Sequence, residues 1–432
     1  MMLMHGLMVG VLTMAHMDPV AVAQKYVALL AAGNTADAAR MHDATMAAGL
    51  PEPKLRATLA SLVTKGPLTD CREFSNTASG RFQVVVLNCA SGPDRMLVKV
   101  SVDEKGLVGG LYFAPAATTP EGAHKPAPYV DGARFSEVPM VVKSGRFELA
   151  GTLAIPKGKG PFAAVVLVAG SGPHDQDETI GPNKPLKDLA QGLASRGVMA
   201  LRYEKRTQKY GADISATKGT YTVQDEVVED AVAAVALLSA RKDVSGVVVA
   251  GHSLGGNMVP RIGAQAPVLK GLVVLAGNVS PVEELVVAQV NHIQKHASSP
   301  ESGGASLEQL RTLAAAVKTL TPESPPLMGA PASYWLDLKG YNPATMAAGL
   351  PQPVLLLQGG RDYQVPPSEL ELWKTALRAR KDVTFKTYPD LNHLFMAGKG
   401  PSVPAEYVNP GHVDVAVVED VAAFAKRVTV RP

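Results

Sequence analysis

Val247-Val248-Val249-Ala250-Gly251-His252-Ser253-Leu254-Gly255-Gly256 is a β-branched run that turns into a helix through a serine held between glycines. A serine hydroxyl is a poor nucleophile unless the backbone exposes it, a base takes its proton and donors receive the resulting charge. A G-x-S-x-G elbow supplies the exposure. Its serine sits in a strained turn at a strand's end, and side chains larger than hydrogen at the glycines would collide with the neighbouring strand or helix.

Outward from this turn, strands alternate with helices. Phe135 to Lys143 and Phe147 to Ile155 read as a hairpin-like entry. Strands follow at Ala163 to Ala169, Val198 to Tyr203, Val247 to Ala250, Leu272 to Ala276, Val354 to Gln358 and Val383 to Tyr388. Between them, Leu186, Leu189, Ala190 and Leu193 recur at helical spacing, as do Val227, Val228, Ala231, Val235 and Leu238. The alternation predicts an α/β fold, a mostly parallel sheet with helices on both faces. Residues 279–350 are too many for a simple crossover, so a helical cap insertion is expected over the carboxyl edge of the sheet, where open α/β sheets bind ligands.

Two loops at that edge carry the partners of a nucleophile. Asp362 stands just after the strand ending at Gln358, and His393 follows the strand ending at Tyr388. After the first central parallel strand comes Gly170-Ser171-Gly172-Pro173, whose small residues let backbone approach a substrate carbonyl. Leu254, the residue after the nucleophile, is one expected oxyanion donor; the other is Ser171 or Gly172, with Ser171 favoured and Gly172 then a substrate-binding position. The order Ser253, Asp362, His393 is that of the α/β-hydrolases. Residues 135 to 430 resemble that superfamily. Gly170 to Glu178, Leu201 to Arg206 and Tyr334 to Leu338 are similar to motifs of a bacterial serine carboxylesterase-like group, whose members often carry a small N-terminal α+β domain. Two departures stand out: Gln176 where arginine is usual, and Thr207 where glycine is common.

The resemblance implies ester hydrolysis through an acyl-enzyme on Ser253. His393 is the base, Asp362 orients it, and no metal or organic cofactor is needed. Thioesterase, peptidase and acyltransferase chemistry share that intermediate, and binding through the N-terminal domain on a vestigial scaffold is a reading of another class. Tyr334 and Trp335 in the cap are expected to line the substrate pocket. His252 is read as a packing or hydrogen-bonding residue, and His174, Asp175, Asp177 and Glu178 as support for the oxyanion loop. Arg202, Lys205 and Arg206 are read as internal ion pairs, and the i, i+4 pair His292 and His296 as a solvated helix face rather than metal ligands.

Residues 19–115 read as a small α+β domain. Helices at Val20 to Ala32, Thr35 to Ala48 and Pro51 to Lys65 precede four strands that end near Phe113, and residues 116–130 form a Pro- and Ala-rich linker to the hydrolase domain, 131–432. Cys71 and Cys89 lie symmetrically about Gly80 in a hairpin pattern, which makes them cross-strand neighbours able to form a disulfide. Residues 1–18 are expected as a signal peptide or disordered N-terminus. The first 17 carry no Lys, Arg, Asp or Glu, and Thr13-Met14-Ala15 offers small residues for cleavage, although the usual positive leader is missing. A periplasmic or secreted location is therefore favoured over a cytoplasmic one. No other segment has the length to span a membrane. A net charge of +3 without a basic stripe argues against nucleic acid. The expected partner is a small-molecule ester; no motif speaks to oligomeric state. The segment Ala44 to Pro51 recurs letter for letter as Ala344 to Pro351, read as two similar helix stops.

Overall fold

The computed structural model describes residues 18–63, 66–79, 82–92, 94–115, 124–216, 220–296, 307–328 and 330–429. The expected signal peptide up to residue 17, the turn glycine Gly80, most of the linker and residues 297–306 of the insertion lie outside the described residues. The chain divides into two units, Met1–Ala116 and Ala117–Pro432.

Side-chain caps from Asp18, Asn34 and Asp43 start the first three helices of the first unit. α1 (Pro19–Ala31) starts where Asp18 accepts from Val20 N, with proline at its first position. The single helix expected over Thr35 to Ala48 is instead two, α2 (Thr35–Ala39) and α3 (Ala44–Gly49). Long-range backbone pairing breaks it: Val108 N donates to Met41 O at 2.8 Å and Asp43 N to Val108 O at 2.9 Å. Asp43 then caps α3 through Met46 N. α4 (Glu52–Leu62) completes the helices. Strands β1 (Leu68–Ser79), β2 (Phe82–Ser91), β3 (Asp94–Asp103) and β4 (Val108–Pro115) form an antiparallel sheet in sequence order. Alternate residues Val85, Leu87 and Cys89 bury one face against Tyr26, Leu30 and Leu55. A register shift between Glu73 and Ser75 sets Arg72 opposite Asn88 and brings Cys71 beside Cys89, to which it is disulfide-bonded.

In the second unit, β5 (Phe135–Ser144) and β6 (Phe147–Pro156) enter as an antiparallel pair. β7 (Phe162–Val168), β8 (Met199–Tyr203), β9 (Val244–His252), β10 (Gly271–Leu275), β11 (Val354–Gly359) and β12 (Val383–Tyr388) are parallel. The sheet order is β12-β11-β10-β9-β7-β8-β6-β5. Both faces of the central strands β7, β8, β10 and β11 are dry, which is why these strands read as unbroken apolar runs, whereas the edge strand β12 is partly exposed. Ala163, Val165 and Leu167 face α5 (Pro185–Ser195) and a late helix over Val415–Thr429. Ala164, Val166 and Val168 face the opposite layer.

That layer holds α7 (Asp230–Ser239), α8 (Leu254–Gln265) and α13 (Pro367–Leu377). α6 (Arg206–Ala216) follows β8, and a π-helical stretch, Gln224–Glu229, leads into α7. The insertion contains α9 (Val282–His296), α10 (Leu307–Val317), α11 (Ala332–Leu338) and α12 (Pro343–Ala348), and α14 (Val415–Thr429) is the last element among the described residues. The repeated octapeptide forms a helix in both places, capped by Asp43 in α3 and by Asn342 in α12. Residues 124–130, expected as linker, belong to the second unit: Ala127 is buried and the Tyr129 hydroxyl donates to Val413 O at 2.7 Å. Among the described residues, no helix is long and apolar enough to cross a membrane.

The Cys71–Cys89 bond closes a short loop, a sequence separation of 18, worth about 3 kcal/mol in the chain-entropy account. Thiol titration of the denatured, unreduced chain should find no free thiol, and reduction should lower the first unit's unfolding midpoint. Two reactive thiols before reduction would contradict the bond.

Candidate active site

Backbone contact shapes the turn after β9. Ser253 is held at φ 55°, ψ −119°, a left-handed position that costs a non-glycine residue about 1 to 3 kcal/mol. The glycines make room for it. A Cβ on Gly255 would meet the Val168 and Ala169 carbonyls at 2.6 Å, one on Gly256 the Gly251 carbonyl at 2.8 Å, and one on Gly251 would overlap Gly255 O. Ser253 N donates to Leu275 O, which ties the turn to β10. Leu254 opens α8, so its N–H has no intrahelical acceptor.

The two partner loops interlock by the same means. Cβ atoms on Gly359 and Gly360 would stand 2.6 Å from Asn392 O and 2.7 Å from Pro389. Gly360 N donates to Tyr388 O and Arg361 N to Leu391 O, so the loop bearing Asp362 is laced to the loop bearing His393. His393 Nδ1 lies 2.7 Å from Asp362 Oδ2, with both side chains buried. Asp362 Oδ1 accepts from Gln364 N and Val365 N, each at 2.9 Å, and Oδ2 also accepts from Gln358 Nε2 at 3.2 Å. Gln358 was not singled out in the sequence; its signal is a polar residue inside a buried strand.

The loop after β7 packs on the serine. A Cβ on Gly170 would come within 3.1 Å of Ser253 Cβ. Gly170 is gripped on both sides: its N–H, in the peptide shared with Ala169, donates to Glu178 Oε1 at 2.7 Å, and its carbonyl, in the peptide shared with Ser171, accepts from Lys205 Nζ at 2.8 Å. Glu178 Oε1 also meets His252 Nδ1 at 2.9 Å, and His252 Nε2 meets His393 O at 2.9 Å. His252 is thus the middle of a chain that joins three loops, a role its hydrogen-bonding reading only partly anticipated. Burial by itself would lower the His252 pKa, but the Glu178 carboxylate, its hydrogen bond and the His393 carbonyl outweigh it and hold the pKa above its ordinary value. Burial would raise the Glu178 carboxyl, yet His252 outweighs that and holds it low.

The remaining ion pairs brace the frame. Arg202 pairs with Asp177 and Glu137, each at 2.7 Å, and Arg206 with Asp230. Of the two departures from the carboxylesterase motifs, Gln176 accepts from Thr152 Oγ1 at 2.8 Å and Thr207 donates to Glu226 at 2.7 Å. His292 is not on a solvated face: it is half-buried, stacks on Tyr363 at 5.1 Å and meets Ser402 O at 2.9 Å.

A cleft of about 590 Å³ is lined by Ser171, Gly172, Leu254, Tyr334 and Trp335, so the expected donors and cap aromatics share one space. Tyr334 donates its hydroxyl to Glu226 at 2.9 Å and Trp335 its indole N–H to Leu327 O at 2.8 Å. With polar tips satisfied, the rings offer apolar surface. The π-helical stretch before α7 carries Glu226, which also pairs with Lys205 at 3.2 Å.

The sequence profile of the Alpha/beta hydrolase family matches residues 165–409. Over 366 residues the chain is 40% identical to the esterase EstD of Thermotoga maritima, covering 83% of this chain and 84% of that one. Among solved structures, Est1E from Butyrivibrio proteoclasticus aligns with a TM-score of 0.45 at 17% identity, over 67% of this chain and 98% of its own. A puromycin-hydrolyzing peptidase of Mycobacterium tuberculosis aligns with a TM-score of 0.47 at 19% identity, over 83% and 47%.

The Glu178–His252 pair sets a pH signature. The lowered Glu178 pKa contributes stability above its ordinary value of 4.5, lost as pH falls through the folded value. The raised His252 pKa contributes stability below its ordinary value of 6.5, lost as pH rises through the folded one. Glu178→Gln should cost about 3 to 5 kcal/mol. The gap in Tm between wild type and variant should be widest between pH 4.5 and 6.5. A gap of the same size across the whole pH range in which both chains stay folded would argue against the ion pair.

Proposed function

The chain belongs to the alpha/beta hydrolase family, and from that premise we propose that it is a serine esterase cleaving carboxylic esters through an acyl-enzyme on Ser253. The observation that carries this reading is the buried Asp362–His393 contact of 2.7 Å on a loop whose carbonyl is held by His252, the residue before Ser253.

In this mechanism His393 takes the Ser253 proton as the hydroxyl oxygen attacks the ester carbonyl. Asp362 fixes the tautomer: with Nδ1–H committed to Oδ2, Nε2 is the basic nitrogen. Charge then develops on the carbonyl oxygen, and the N–H groups of Ser171 and Leu254 receive it. One such donor is worth about 2.7 to 4 kcal/mol of barrier, so a loosened Gly170 peptide would be felt in turnover. Collapse expels the alcohol, which takes its proton from His393, and His393 next activates water to release the acid. The apolar cleft beside Leu254 suits an acyl or alcohol group of small to medium size, bounded by Tyr334 and Trp335.

A fluorophosphonate should label the wild-type chain on Ser253 and leave Ser253→Ala unlabelled; a folded chain that resists labelling would end the serine-hydrolase reading. Asp362→Asn keeps the Oδ1 acceptor for Gln364 N and Val365 N while setting an amide N–H against the His393 and Gln358 donors. Its kcat should fall about 10⁴-fold with little change in fold. A panel of esters, thioesters and peptide amides of graded acyl length should rank esters first.

A further inference from the structure

Three side chains with no part in acyl transfer converge at the start of α5. Asp188 stands in its first turn, His412 in the loop before α14 and His124 in the segment before β5. Their ligand atoms all lie within 4.8 Å of one another. His412 Nδ1 is 3.2 and 3.1 Å from the two carboxylate oxygens, and His124 Nε2 is 3.1 Å from Oδ1. The Asp188 side chain is fully buried and that of His124 is 5% exposed.

The telling atom is His124 Nε2. It is buried and, among the described residues, has no hydrogen-bond partner, although Asp188 Oδ1 is only 3.1 Å away. The two atoms are close, yet the contact does not make a hydrogen bond. Buried polar atoms are seldom left this way, and a cation seated between them would satisfy both.

We propose that His124 Nε2, Asp188 and His412 Nδ1 form a site for a divalent zinc-like cation that pins the chain before β5 and the loop before α14 to the start of α5. Zinc bonds of about 2.0 to 2.2 Å at tetrahedral angles place ligand atoms roughly 3.3 Å apart, close to the His–Asp separations here. Two imidazoles with one carboxylate favour zinc, nickel or copper over magnesium and calcium. His412 is 29% exposed, which leaves a fourth position for water. The surroundings already form a clamp: Val413 N donates to Asp188 Oδ2 at 3.1 Å and Gly411 N to Asn183 Oδ1 at 2.8 Å. The cation adds a tie to that clamp and lies outside the Ser253–Asp362–His393 set, so this inference stands apart from the esterase reading.

The test is calorimetric titration of Zn²⁺ into the full chain after chelator stripping, with Tm followed in parallel. His292 and His296, whose rings are 4.5 Å apart, offer a second imidazole pair, so the titration is repeated in the His292→Ala/His296→Ala background. One Zn²⁺ per chain should bind in both, with a rise in Tm and no response to Mg²⁺. His124→Ala and Asp188→Asn should each weaken binding by at least about tenfold and abolish the rise. Asparagine keeps an acceptor for Val413 N–H, and undiminished ester turnover in His124→Ala reports an intact fold. No saturable binding to the wild type, or binding unchanged in His124→Ala, would overturn the site.

Discussion

The second unit is organised around places where no side chain fits. Gly255 against the carbonyls ending β7, Gly256 against Gly251, and Gly359 and Gly360 against the His393 loop bring backbone to backbone at the carboxyl edge of the sheet. These approaches fix where Ser253, Asp362 and His393 emerge, because a loop that touches its neighbour's peptide planes has little freedom left. Side-chain packing beneath them, on two dry faces of a parallel sheet, supplies the stiffness.

Polar contacts finish what close approach begins. Glu178 is a buried carboxylate whose Oε1 serves both the Gly170 N–H and His252, while Lys205 takes the Gly170 carbonyl. The two successive peptide planes that meet at Gly170, beside Ser253, are therefore oriented one by an anion and the other by a cation from different loops. His252 passes the constraint on to the His393 carbonyl, so a shift at one loop is resisted by the other two.

Much of this was legible in the sequence, for physical reasons. The central parallel strands announce themselves because both faces are buried, and the observed bounds of the parallel strands differ from the expected runs by up to about three residues. The elbow glycines and the loop positions of Asp362 and His393 are local features. What escaped was long-range or geometric. The break between α2 and α3 depends on pairing with Val108, and the π-helical stretch before α7 on partners such as Asp337, which accepts from Gln224 N. Glu178 was visible as a polar loop residue, but its link to His252 spans distant parts of the chain, as does the meeting of His124, Asp188 and His412.

Ser253 is the one residue of the elbow whose conformation glycine would hold more comfortably. A residue in that region keeps its conformation only where its surroundings over-determine it. A serine held there against its backbone preference has its hydroxyl presented by the packing of the neighbouring loops rather than by any preference of its own.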